Sequence, residues 1–169
     1  MVKKIEFPPV QPGEPDPKAI DALIREHPWT YQLTKGANAG RILAMNVCYA
    51  RVGLAPPYTS DCVLIIHLEQ APGDVPICTL HLMHGETHVD VLEGCAVSVV
   101  AGGAVHDFQA EIMPDDMHRA LVINDAAKLI EIIKTNWPVS IILPVLASGM
   151  QCFTFLTHDL HWPPRAEDL

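Results

Sequence analysis

Residues 118–162 constrain the fold more than any other stretch, because they are apolar-periodic throughout and supply their own cap and turns. The spacing predicts a strand over 119–124 and a helix opening at Asp125, whose carboxylate suits the unpaired amides of a first helical turn. Ala126, Leu129, Ile130 and Ile133 recur at the i, i+3, i+4, i+7 spacing of one buried face, with Lys128, Glu131 and Lys134 opposite. Such a face needs a sheet to lie on. Asn136, Trp137 and Pro138 stop the helix. The β-branched run 139–146 then predicts a central strand, and Ser148-Gly149 turns the chain into a last strand over 150–157. This stretch fixes a scaffold and not a chemistry.

A chain of 169 residues with 49% apolar content and a mean hydropathy of +0.19 suits one domain with a sizeable core. Its formal charge is −9, with 11 Lys and Arg against 20 Asp and Glu. Without clustered cations to displace counterions from phosphates, nucleic-acid binding is disfavoured. The longest apolar run, 139–147, is about half of the ~20 residues a membrane-spanning helix needs, so no membrane span is expected. The N-terminus has two lysines but no apolar segment after them. As written the chain reads as cytoplasmic, and as periplasmic or secreted if a signal peptide has been removed.

In chain order, residues 1–15 are rich in proline and read as an extended arm, and Asp16-Pro17 opens a short N-terminal helix over 16–25. Strands are expected over 29–33, 41–54, 62–68, 75–83, 88–93, 95–101 and 105–112, ahead of the strands and helix already described. Gly94 and Gly102-Gly103 separate the later ones, at positions where positive φ is available. The fold expected is mainly β, an antiparallel sandwich of eight or nine short strands with one packed helix over 125–135. Residues 16–162 form the single domain, and 163–169 read as a flexible tail.

Few residues point to chemistry. The five cysteines, Cys48, Cys62, Cys78, Cys95 and Cys152, include no CxxC pair and read mainly as buried thiols, with Cys78 and Cys95 the pair to test for a disulfide. Nine histidines are many for this length, and His81, His84 and His88 cluster in HLMHGETH around Glu86. Converging imidazoles and a carboxylate are what a zinc or iron site uses. Known motifs do not complete here. The order HxExH is not the HExxH of a zinc protease helix, and the HxE of His84-Gly85-Glu86 lacks the later PCxxC of a zinc deaminase. No G-x-S-x-G elbow or phosphate-binding glycine loop is present.

Two resemblances add to this. The run THVDVLEGCAVSVVAGG is similar to the cupin phrase that follows the metal-binding histidines, with His118 after Pro114 as a counterpart of the later cupin histidine. The ligand positions are displaced, since Met83 and Thr87 stand where a histidine and a glutamate belong. Over residues 62–162, Gly94-Cys95-Ala96-Val97-Ser98-Val99, Phe108-Gln109-Ala110, Leu121-Val122-Ile123-Asn124-Asp125-Ala126-Ala127, Phe153-Thr154-Phe155 and Leu160-His161-Trp162 follow one another in order. That order resembles a group of small bacterial proteins, usually exported or lipid-anchored and of unassigned function. The resemblance implies a fold and not a mechanism. Val100-Ala101-Gly102 stand where those proteins tend to carry Arg-Phe-Asp.

The function expected from the sequence is a non-enzymatic, bacterial or phage-borne domain that binds another protein, of accessory, inhibitor or immunity type, with self-association open. A sheet edge or the proline-rich arm would supply the contact. The alternative is a cupin-like metal-binding protein or metal-dependent enzyme using His81, His84 and His88 with His118, and zinc or iron as the ion. A small-molecule carrier is a third reading, and it requires an apolar cavity.

Overall fold

The structure is a computed structural model, which describes residues 18, 22, 25–35, 39–87, 94–113 and 119–169. The arm 1–15, most of the expected helix 16–25 and the expected strand 88–93 lie outside the described residues.

Nine strands are described: β1 (Trp29–Leu33), β2 (Ile42–Val47), β3 (Val63–Gln70), β4 (Ile77–Met83), β5 (Cys95–Ala101), β6 (Ala104–Ile112), β7 (Ala120–Ile123), β8 (Val139–Val145) and β9 (Gly149–Phe155). One helix, α1 (Ala126–Thr135), joins β7 to β8. All nine strands are hydrogen-bonded into a single antiparallel sheet in the order β1-β2-β3-β4-β7-β6-β5-β8-β9. Where the sequence led us to expect two sheets face to face, one sheet curls over its own inner face. Inward residues stay in register from strand to strand: Leu68 pairs with Cys78, Cys78 with Ile123, Ile123 with Ala110 and Ala110 with Cys95. They belong to one core cluster with Val99, Ile141 and Phe153 farther along. The strict alternation of burial in β3, β5 and β8 reflects the period-2 geometry of strands with one face on that core.

The helix forms where its caps and stripe demand. Asp125 accepts a hydrogen bond from the Lys128 amide, and Ala126, Leu129, Ile130 and Ile133 are buried. Since β6 and β5 lie between β7 and β8 in the sheet, α1 spans their ends and adds its apolar stripe to the same core. At its C-terminal end, Asn136 lies against Gly102 in the β5–β6 hairpin.

The curl is not closed by a regular ladder. The expected strand over 41–54 ends at Val47: the Cys48 amide still bonds the Leu64 carbonyl of β3, but the Tyr49 amide turns to the Thr154 carbonyl of β9 at 2.7 Å. Farther along, the Ala55 amide bonds the Ser148 hydroxyl at 2.9 Å. Residues 49–55 therefore run alongside the outer edge of β9. Two side chains of β1 reach the segment beyond β9. The Trp29 indole donates to the Thr157 carbonyl, and the Tyr31 hydroxyl donates to the Asp159 carbonyl.

The tail 163–169, expected to be flexible, folds back on the domain. Asp168 bonds the His161 ring at 3.0 Å and accepts from the Arg165 amide at 2.7 Å. No helix among the described residues is long and apolar enough to cross a membrane.

Candidate functional site

Antiparallel order places the connections β2–β3, β4–β5, β6–β7 and β8–β9 at one end of the curled sheet. The longest connection, residues 48–62, is at this end, whereas β5 and β6 at the other end are joined by Gly102 and Gly103 alone. Irregular backbone on a rigid sheet is where binding groups are usually carried.

Three of these connections meet around a recess of about 280 Å³, lined chiefly by Tyr58, Thr59, Ser60, His84, Glu86 and Arg119. Each is held by the fold rather than by its neighbours in the recess. The loop bearing Tyr58 is tied by the Val52–Cys62 bridge and by the Ala55–Ser148 bond. His84 turns off the end of β4 with φ of 64°, and Gly85 then passes so close to the core that an added Cβ would lie 2.9 Å from the Cys62 sulfur. The Leu146 amide bonds the Glu86 carbonyl at 2.8 Å, and Thr87 bridges Val145, which fixes Glu86 in the wall.

Among the described residues neither the Glu86 carboxylate nor the Arg119 guanidinium has an ion-pair partner. The recess thus offers one charge of each sign and three hydroxyls to a ligand from outside. No hydrogen bond among the described residues links His84 to Ser60 or Thr59, so neither hydroxyl is paired with a base as an activated nucleophile would be.

Exposed apolar side chains lie near its walls along the chain. Met83, 48% exposed, precedes His84, and Leu146, 41% exposed, is the residue bonded to Glu86. Met113 is also exposed, and its amide bonds the carbonyl of Ala120, next to Arg119. Met150, at the start of β9, is 58% exposed.

The histidines expected to cluster do not all meet. His84 lines the recess. His81 stands on the outer face of β4, where its ring meets His67 of β3 edge to face at 5.7 Å between centres. His88 and His118 lie outside the described residues. No group of three His, Cys, Asp or Glu among the described residues is placed to hold a metal ion such as zinc or iron. His67 has its pKa lowered, first by burial and then by the neighbouring His81.

Cys78 and Cys95 are both buried free thiols, which corrects the pairing considered from the sequence. Through Ile123 and Ala110 they occupy one row across four adjacent strands, β4-β7-β6-β5. Three strand spacings amount to roughly 14 Å along the sheet, and a disulfide needs Cα atoms within about 7 Å. Burial pushes the Cys78 thiol up to about 12 and Cys62 to about 11, as expected of inert core thiols. Cys152 is the exposed cysteine.

Sequence reasoning missed Arg119, Tyr58, Thr59, Ser60 and His67. The recess residues carry no motif, and only the topology gathers them. His67 had a usable signal, since pairing 62–68 with 75–83 as a hairpin sets it beside His81.

Comparison with protein-family models, with curated proteins and with solved structures finds no match to this chain.

Proposed function

We propose that this chain is a non-enzymatic protein-binding domain that engages its partner through the loop end, in the accessory, inhibitor or immunity manner its sequence suggests. The carrying observation is the exposure of Met83, Met113, Leu146 and Met150 at the loop end that holds a polar recess, whose Glu86 and Arg119 have no ion-pair partner among the described residues. Methionine adapts its shape at binding surfaces, and a few oriented polar groups within an apolar ring supply specificity. Strand addition at β9 is less favoured than the loop end, because residues 49–55 already lie along that strand. A metal-dependent enzyme built on His81, His84 and His88 has less support, since His81 faces away from the recess.

The test is a photo-crosslinking amino acid placed at Met83 or Leu146, with Val105 beyond the far hairpin as control, in cells that make the protein. A discrete adduct from the loop-end positions alone supports the reading when the adducted protein, purified, binds wild type and loses at least about tenfold affinity on Met83→Glu. Equal adducts at Val105, or binding indifferent to Met83→Glu, would overturn it.

A further inference from the structure

The two charges of the loop-end recess are held by different parts of the fold. Arg119 stands directly across from Leu82, whose amide bonds the Arg119 carbonyl at 2.7 Å. Cross-strand partners share a face, so the Arg119 side chain leaves the sheet on its inner side, at the mouth of the curl. Glu86 is anchored elsewhere. The segment 84–87 leaves β4 and crosses that mouth to β8, which β7, β6 and β5 separate from β4 in the sheet. There the Leu146 amide bonds the Glu86 carbonyl at 2.8 Å. Between His84 and Glu86, Gly85 rests on the core, where an added Cβ would meet Cys62, Leu54 and Val145. Acid and base thus line one recess, yet among the described residues they are not paired with each other or with any other group.

The signs of these charges choose the ligand. A lone anion such as phosphate would meet Arg119 but be repelled by Glu86, and a lone cation would meet the reverse. A ligand that carries both charges satisfies both walls at once. Size narrows the class further. The recess of about 280 Å³ holds roughly nine liquid-water volumes, which is the bulk of one amino acid. The hydroxyls of Tyr58, Thr59 and Ser60 can each donate and accept, which suits a polar side chain. We infer that the recess binds a zwitterion of amino-acid size, its cationic group at Glu86 and its carboxylate at Arg119. This rests on the reading of the loop end as a binding surface and names what its recess takes. A free polar amino acid carries that chemistry. So does a partner's chain end, where the terminal charge and a side chain of opposite sign lie within one residue.

The experiment is NMR titration of the full chain, with the Arg119 side-chain Nε–H and the Gly85 and Glu86 amides as reporters. Free L-glutamine supplies both charges, N-acetyl-L-glutamine lacks the cation, and L-glutaminamide lacks the carboxylate. An acetylated glycyl-glycyl-lysine peptide with a free carboxyl end tests the chain-end source, with its carboxyl amide as control. L-glutamine or the peptide should shift the reporters with a Kd of about a millimolar, as about ten non-hydrogen atoms allow. The tighter of the two identifies the source, and removing either charge from it should weaken binding at least about tenfold. Arg119→Gln should weaken that ligand by a similar factor while leaving its carboxyl amide bound no more weakly than in wild type, a pattern that misfolding would not give. Glu86→Gln should likewise weaken it. No shift from either ligand tenfold above that Kd, equal binding of the singly charged analogues, or binding indifferent to both substitutions would overturn the inference. Met83 does not line the recess, so Met83→Glu should leave zwitterion binding unchanged. A crosslinked partner without a zwitterion shift would therefore overturn this inference alone, and a zwitterion shift that meets these criteria without a partner adduct would support it while overturning only the partner reading.

Discussion

The Tyr31 hydroxyl accepts a hydrogen bond from the His161 amide at 2.8 Å, joining β1 to the segment beyond β9 across 130 residues of sequence. The same hydroxyl donates to the Asp159 carbonyl at 3.3 Å, so one phenol satisfies two backbone groups of a segment that has no strand partner of its own.

Burial pushes the Tyr31 pKa up to about 12, outweighing the His161 amide, which lowers it. A folded-state pKa above the unfolded value near ~10 means that the protonated phenol stabilises the fold. That contribution is complete below pH ~10 and is lost as pH rises through about 12. Ultraviolet titration should show a late phenolate step that Tyr31→Phe removes, and the substitution should cost about 1–3 kcal/mol in denaturant unfolding by leaving the His161 amide unpaired.

At the opposite end of the pH scale, Asp168 holds the tail. Burial alone would raise its pKa, but the His161 ring and the Arg165 amide together bring it below the ordinary carboxylate range. A depressed carboxylate stabilises the docked tail above its unfolded value near ~4, and that contribution is lost as pH falls through the lower folded value. Tail resonances followed by NMR should therefore sharpen into a released segment only in acid. Asp168→Asn should produce the same release at neutral pH with little change in global stability.

The recess depends on the close passage of Gly85. Its Cβ in Gly85→Ala would meet the Cys62 sulfur at 2.9 Å and Leu54 Cδ1 at 3.3 Å. We expect a loss of about 1–3 kcal/mol from overpacking. Adding Cys62→Ala should cost less in the Gly85→Ala background than in wild type, a coupling measurable in a double-mutant cycle. Additive costs would show that the two residues do not share this contact.

Thiol chemistry should separate one cysteine from four. Cys152 is exposed, while Cys48, Cys62, Cys78 and Cys95 are buried. Native protein should react with a thiol reagent once and quickly, with the remaining four appearing only on unfolding, and Cys152→Ser should abolish the fast reaction. Isolation of a Cys78–Cys95 disulfide from native protein would contradict the register that separates them.

Much of the strand order along the chain was legible, for reasons specific to each element. Cys95–Ala101 is a run of small and β-branched residues, apolar but for Ser98, set between glycines, so its limits follow from composition and punctuation. Asp125 and the stripe from Ala126 to Ile133 announce α1 in the same way. The limits of β2 were not legible. Nothing local in residues 48–54 says that Tyr49 exchanges β3 for Thr154, because the decision is made by a strand about a hundred residues away. The single curled sheet was hidden for a related reason, since alternation shows that one face is buried but not what buries it. At the candidate site, His84 was visible as a histidine in a glycine-containing turn. Arg119 and Tyr58 were not, because exposed polar residues acquire meaning only when loops distant in sequence meet.

The coverage of β1 by residues 157–161 has a consequence for how the protein is made. Trp29 and Tyr31 are synthesised long before Thr157, Asp159 and His161 exist, so the first strand waits through much of synthesis without the segment its side chains bind. The β2–β3–β4 meander can assemble early from neighbours in sequence, whereas the long-range contacts of β1 and of residues 49–55 require residues 148–161. Emergence of residues 157–161, rather than any local pairing, is the event that completes these contacts.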